Sequence, residues 1–133
     1  YIRASKQFDF ALSIATPKSH RPNEKLLSVV DQANWTDKPR DAVASADLVV
    51  TDVWASMGHE EEGTERLTSF DGFQVNSELL DCADKDVVFM HCLPAHRGEE
   101  ISNDLLDDTR SVVWQEAGNR LHSQKALMEL LLK

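Results

Sequence analysis

Apolar residues in this chain come in short runs separated by longer amphipathic stretches. Phe10–Ala15 is one such run, closed by Thr16 and Pro17; Leu48–Thr51, Val87–Met90 and Ser111–Trp114 are others. Runs this short, bounded by turn residues, read as buried strands. Leu26, Val29, Val30 and Ala33 recur at helical spacing, and Asp37 stands where it would cap a second short helix carrying Ala42, Val43 and Ala46. Ser77–Ala83 reads as a short helix with Leu79 and Leu80 inward, Ser102–Leu106 as another, and Asn119–Leu132 as the last. His20-Arg21-Pro22 is a loop, and the highly charged stretch His59–Thr68 is exposed helix or loop. Strands alternating with helices predict an α/β fold with a parallel sheet and right-handed crossovers.

Chemistry-bearing residues fall at the ends of these strands. Asp52 follows the second run, His91, Cys92 and Leu93 the third, and Glu116 and Arg120 the fourth. Open parallel sheets bind ligands beyond the carboxyl ends of their strands, which lie about 4.8 Å apart. An acid, an imidazole, a thiol and a guanidinium are therefore expected along one edge, the convergence that an active site requires. Pro94 is expected to hold Leu93 extended, and a cis Leu93–Pro94 bond would aim the Leu93 carbonyl into a cleft.

Each residue also has an ordinary reading. Asp52 is a loop acceptor, Cys92 a small buried residue, Met57 core filler and Arg120 a surface charge. For His91 the reading as a structural hydrogen-bonder is preferred. His96-Arg97-Gly98-Glu99-Glu100 is a polar loop, either closing over the site or simply solvated. His91, Cys92 and His96, with His59 or Cys82, invite a zinc reading. No C-x-x-C pair or H-E-x-x-H supports it, so no metal is expected.

His91-Cys92-Leu93-Pro94 resembles the HCLP signature of ornithine carbamoyltransferases. Asp52-Val53-Trp54-Ala55-Ser56-Met57-Gly58 resembles that family's D-x-W-x-S-M-G loop, and Glu116-Ala117-Gly118-Asn119-Arg120 its E-A-E-N-R element, with Gly118 in place of a glutamate. The three occur in family order from about Phe8 onward. The resemblance implies a Rossmann-like parallel sheet flanked by helices, the second domain of a carbamoyltransferase. It implies Asp52 on the α-amino group of ornithine, with Ser56 and Met57 on its amino acid backbone. Cys92 would line the reacting centre, the Leu93 carbonyl would accept from the side-chain amine, and Arg120 would bind and polarise carbamoyl phosphate. It implies citrulline and phosphate as products, in arginine biosynthesis or degradation, with no cofactor and with trimers as the assembly. Aspartate, acetylornithine and putrescine carbamoyltransferases are alternatives. Ser56-Met57-Gly58 favours ornithine, and Cys92 disfavours the aspartate enzyme, whose motif reads H-P-L-P. Outside the class stands a non-catalytic binding or assembly module.

Composition narrows the partners. Fourteen Lys+Arg against 23 Asp+Glu give a net charge of −9 over 133 residues, which argues against nucleic acid and anionic membranes. No apolar run approaches a membrane span. Cys82 and Cys92 are too sparse for a disulfide scaffold, which suggests reduced thiols in a cytoplasmic setting. Tyr1 is not an initiator, and neither S-T-R-T nor H-P-x-Q, the motifs of the family's carbamoyl-phosphate domain, occurs. Residues 1–133 are therefore expected to be an ornithine-binding domain incomplete at its N-terminal edge. The final helix carries Leu127, Leu130 and Leu131 on one side and Leu121, Met128 and Leu132 on another, so part of its surface is expected to stay uncovered by this domain.

Overall fold

The structure is a computed structural model that describes residues 1–55 and 60–132, with residues 60–64 as backbone alone. The expected substrate contacts Ser56 and Met57 lie outside the described residues, as do Gly58 and His59. The elements run α1 (Ile2–Phe8), β1 (Leu12–Ala15), α2 (Glu24–Leu27), β2 (Ala33–Thr36), α3 (Pro39–Val43), β3 (Leu48–Thr51), α4 (Glu60–Ser69), α5 (Ser77–Leu80), β4 (Val88–His91) and α6 (Val113–Leu131). Lys18–His20 and Leu105–Asp107 form 3-10 turns, the second where a helix starting at Ser102 was expected.

The strands pair in parallel two by two. β1 lies on β2 with Leu12 opposite Ala33, and β3 lies on β4 with Leu48 opposite Val88 and Thr51 opposite His91. Helices connect the members of each pair, as parallel strands require. The core gathers on the β3–β4 side. Phe89, Ile101, Leu105 and Val113 are fully buried there, with Val49, Leu79, Leu80 and Val87 around them.

Three local expectations change. The helix expected to reach Ala33 ends at Leu27, and Ala33 opens β2. Asn23 caps its start by accepting from the Lys25 N–H at 2.8 Å. β2 is tied to the end of β1 by the Trp35 indole N–H, which donates to Thr16 Oγ1 at 2.8 Å. Asp37 does not cap α3; Lys38 holds the N-cap position without a side-chain cap bond, Pro39 takes the first helical position, and Ala46 lies beyond the helix end. The polar start of the chain forms α1, closed at Asp9 in the left-handed region with φ 54°. Finally, Ser111–Trp114 is not a strand. Ser111 makes a single bridge to Phe89, and α6 begins at Val113. The helix-forming residues that follow extend the helix back to Val113, overriding its β preference, with Val112 at the N-cap position.

Arg110 fixes the turn that leads into α6. Its guanidinium bonds Asp108 at 2.9 and 2.7 Å and Asp81 at 2.6 Å, while its carbonyl accepts from the Phe89 N–H at 2.8 Å. The side-chain bonds from Arg110 hold the Asp108 carboxyl well below the usual carboxylate range, against the opposing effect of its burial. A lowered folded-state pKa stabilises the fold above the unfolded value, near 4, and that stabilisation is lost as pH falls from there toward the folded value. Asp108→Asn should therefore cost about 1–3 kcal/mol at pH 7. In urea unfolding curves its deficit relative to the parent protein should shrink as pH drops from about 4 to 2. A deficit that stays constant across that range would contradict the role given to Asp108.

Candidate active site

The β3–β4 register builds the site. Thr51 and His91 are partners at the strand ends, so the next residues emerge side by side. The Cys92 thiol donates to Asp52 Oδ1 at 3.2 Å, and the Val53 N–H donates to the same oxygen at 2.8 Å. No hydrogen bond reaches Asp52 Oδ2 among the described residues. Both side chains are exposed. Asp52, Cys92 and Leu93 thus share one end of one strand pair, as expected.

His91 is fully buried and acts as a hydrogen-bonder. Its Nδ1 accepts from the Leu93 N–H at 3.0 Å, and its Nε2 lies 3.1 Å from Glu100 Oε1. With Nδ1 accepting, the ring proton belongs on Nε2, where it donates to Glu100. Both ring nitrogens are committed, which removes His91 from the zinc grouping with Cys92 and His96. Leu93 is not extended: φ is 51°, and the Leu93–Pro94 bond is cis. The extended geometry expected from Pro94 is therefore not adopted, while the Leu93 N–H keeps its bond to His91.

The electrostatics are acidic. Loss of solvation raises the Cys92 thiol, and the hydrogen bond to Asp52 and its negative charge raise it further. The thiol therefore stays protonated near neutrality and is a poor nucleophile. The Tyr1 phenol is raised first by loss of solvation and then by the negative charges of Glu116, Cys92 and Asp52. The charges of Glu116 and Asp52 thus reach both Tyr1 and Cys92. No pattern in the sequence marks Tyr1 as a neighbour of this site. Glu116 was expected beyond a strand and instead stands in the first turn of α6, where its Oε2 is buried without a hydrogen-bond partner among the described residues.

Arg120 also stands on α6. It lies one turn further along α6, exposed, with no hydrogen bond or ion pair to Asp52 or Cys92 among the described residues. Gly118 is also helical, and a Cβ there would meet nothing within 4 Å, so the missing glutamate side chain is not excluded by crowding. Beyond Arg120 the helix is uncovered, as its all-round apolar pattern predicts: Leu127 is 55 % exposed and Leu131 73 %.

Comparison with known proteins identifies the family. Residues 1–131 match the family profile described as aspartate/ornithine carbamoyltransferase, Asp/Orn binding domain. The chain belongs to this family. The ornithine carbamoyltransferase of Pseudomonas syringae pv. tomato is 58% identical over 99% of the chain, and the anabolic enzyme of Pseudomonas aeruginosa is 55% identical over 100%. In each case the chain spans 44% of the relative's length. The ornithine carbamoyltransferase structure from Thermus thermophilus matches 99% of the chain with a TM-score of 0.88 at 39% identity. The one from Pyrococcus furiosus matches 96% with a TM-score of 0.85 at 44% identity; these matches cover 43% of each structure's chain. The carbamoyltransferase domain is thus of the α/β class, with parallel strands flanked by helices, and among the described residues no helix is long and apolar enough to cross a membrane.

The Asp52–Cys92 contact makes a measurable claim. In a Cys82→Ser background, alkylation of Cys92 by iodoacetamide should titrate above the range of an unperturbed cysteine. Asp52→Asn should move the midpoint down and speed the reaction near pH 8 several-fold, because a charge that opposes the thiolate is removed. An unchanged midpoint would show that the two side chains do not interact.

Proposed function

We propose that this chain supplies the ornithine-binding portion of an ornithine carbamoyltransferase, with residues 1–133 as one domain. The observation that carries the reading is the acidic strand-end pair Asp52–Cys92, with Glu116 beside it. The two carboxylates, Asp52 and Glu116, suit a cationic amino acid better than a phosphate. Asp52 would hold the α-ammonium group through a charge-assisted hydrogen bond, with Ser56 and Met57 on the rest of the amino acid backbone. The Leu93 carbonyl would accept from the side-chain amine, and Cys92 would line the reacting centre as a neutral thiol. The neutral amine then attacks the carbonyl carbon of carbamoyl phosphate. A carbon–nitrogen bond forms, the bond from that carbon to the phosphate oxygen breaks, and the amine loses a proton, giving citrulline and phosphate. Positioning and electrostatic stabilisation suffice, and no cofactor is required. Arg120 would stabilise the developing oxyanion once the anionic substrate draws it inward. Groups that cradle the phosphate would come from a carbamoyl-phosphate domain outside this sequence, so the chain alone is expected to be inactive. The name of the Pseudomonas aeruginosa relative, an anabolic enzyme, favours arginine biosynthesis as the setting. Trimeric assembly and a cytoplasmic location complete the proposal.

The test is a chimera in which this chain replaces the matching segment of the Pseudomonas syringae enzyme. It should form citrulline from ornithine and carbamoyl phosphate and should reject aspartate, acetylornithine and putrescine, whereas the chain alone should make none. A folded chimera that carbamoylates one of the other amines in preference to ornithine, or none at all, would overturn the reading.

A further inference from the structure

The turn that follows the strand-end motif carries a cluster that the transfer reaction does not use. His96, Glu99 and Glu100 each present one donor atom, and the three atoms lie within 4.8 Å of one another. His96 Nδ1 is 3.5 Å from Glu99 Oε2 and 4.0 Å from Glu100 Oε2. The backbone makes this grouping rigid. The Glu99 N–H donates to the His96 carbonyl at 3.1 Å, Gly98 takes φ 90°, and the Gly98 N–H donates to the Ile101 carbonyl at 2.7 Å. The Val75 N–H then holds the Glu100 carbonyl at 2.9 Å, and Gln74 Nε2 holds that of Glu99 at 2.9 Å.

Glu100 provides a second, separate observation. Its side chain is 0% exposed. Oε1 is satisfied twice, by His91 Nε2 at 3.1 Å and by the His96 N–H at 2.6 Å. Oε2 has no hydrogen-bond partner among the described residues, although it is buried and lies 4.0 Å from His96 Nδ1. A buried carboxylate oxygen without a donor is costly unless a cation meets it. Arg97, the adjacent cation, is engaged with Asp107 at 3.0 Å and with the Asn103 carbonyl.

We propose that His96, Glu99 and Glu100 form a binding site for a first-row divalent cation of the zinc type. One imidazole nitrogen and two carboxylate oxygens form a donor set that such ions accept, and the imidazole favours them over magnesium and calcium. Tetrahedral ligands at about 2.0–2.1 Å from a zinc ion stand roughly 3.4 Å apart. The His96–Glu99 separation is already there. The remaining closure falls to the half-exposed Glu99 and His96 side chains, while Glu100 stays fixed. Three protein ligands leave a position open for water. The site involves no carbamoyl-transfer chemistry, so it stands or falls independently of the proposed function.

The experiment is calorimetric titration of Zn2+ into the protein carrying Cys82→Ser and Cys92→Ser, so that neither thiol can compete. One equivalent should bind. His96→Ala and Glu99→Gln should each weaken binding at least tenfold; both residues are half-exposed, and circular dichroism should confirm an unchanged fold. Glu24→Gln, at an exposed residue elsewhere, should leave the affinity unaltered, and Mg2+ should give no comparable binding. No saturable Zn2+ binding would overturn the site and leave the cluster as a His96 clasp on two carboxylates. Equal affinity in the His96→Ala and Glu99→Gln variants, or equal affinity for Mg2+, would overturn it as well.

Discussion

Parallel pairing of β3 with β4 in a single register is the constraint on which the candidate site depends. With Thr51 opposite His91, the chain leaves both strands at the same level, and Asp52 meets Cys92. Because side chains alternate along a strand, a slip of one residue would send Cys92 to the other face and put the buried His91 in its place. The core blocks such a slip. Phe89, fully buried in β4, is held from the far side by its N–H to the Arg110 carbonyl and by its carbonyl to the Val112 N–H. The site's geometry is thus set by packing beneath it.

A buried polar relay continues that order into the loop. Glu100 bonds His91, and His91 receives the Leu93 N–H, so the turn after β4 is organised from within the fold. Glu100 is itself anchored on Val75 through its carbonyl. The loop that presents Cys92 and Leu93 is therefore an extension of the core, while Asp52 on the neighbouring strand is held by its own loop through the Val53 N–H. Rigidity of this kind is what a substrate-positioning site requires.

Much of this was legible in the residues. The apolar runs at Leu48 and Val87 mark β3 and β4 to within one residue, because a short unbroken apolar run between turn residues is a strong strand signal. The Asp52 and Cys92 positions follow from those runs alone. β2 was hidden because Ala33 completes a helical spacing with residues that the helix does not reach, and its partner contacts with β1 lie far away in sequence. α6 was placed too late, since Val112 and Val113 favour strands locally, yet the helix downstream captures Val113. Leu93 was misjudged because a proline biases the residue before it toward extended geometry without fixing it there, and Leu93 takes φ 51°. Glu100 owes its buried place to contacts with His91 and Val75 that no short pattern encodes.

The account rests on Asp52 as the anchor of a cationic amino acid. The direct measurement is the ornithine dissociation constant of the intact enzyme containing this chain, compared with that of its Asp52→Asn form, which keeps the size and shape of the side chain. Loss of a charge-assisted hydrogen bond predicts ornithine binding roughly ten- to a hundredfold weaker. Carbamoyl phosphate binding should be unchanged. Unaltered ornithine affinity in a correctly folded Asp52→Asn enzyme would contradict the account at its centre.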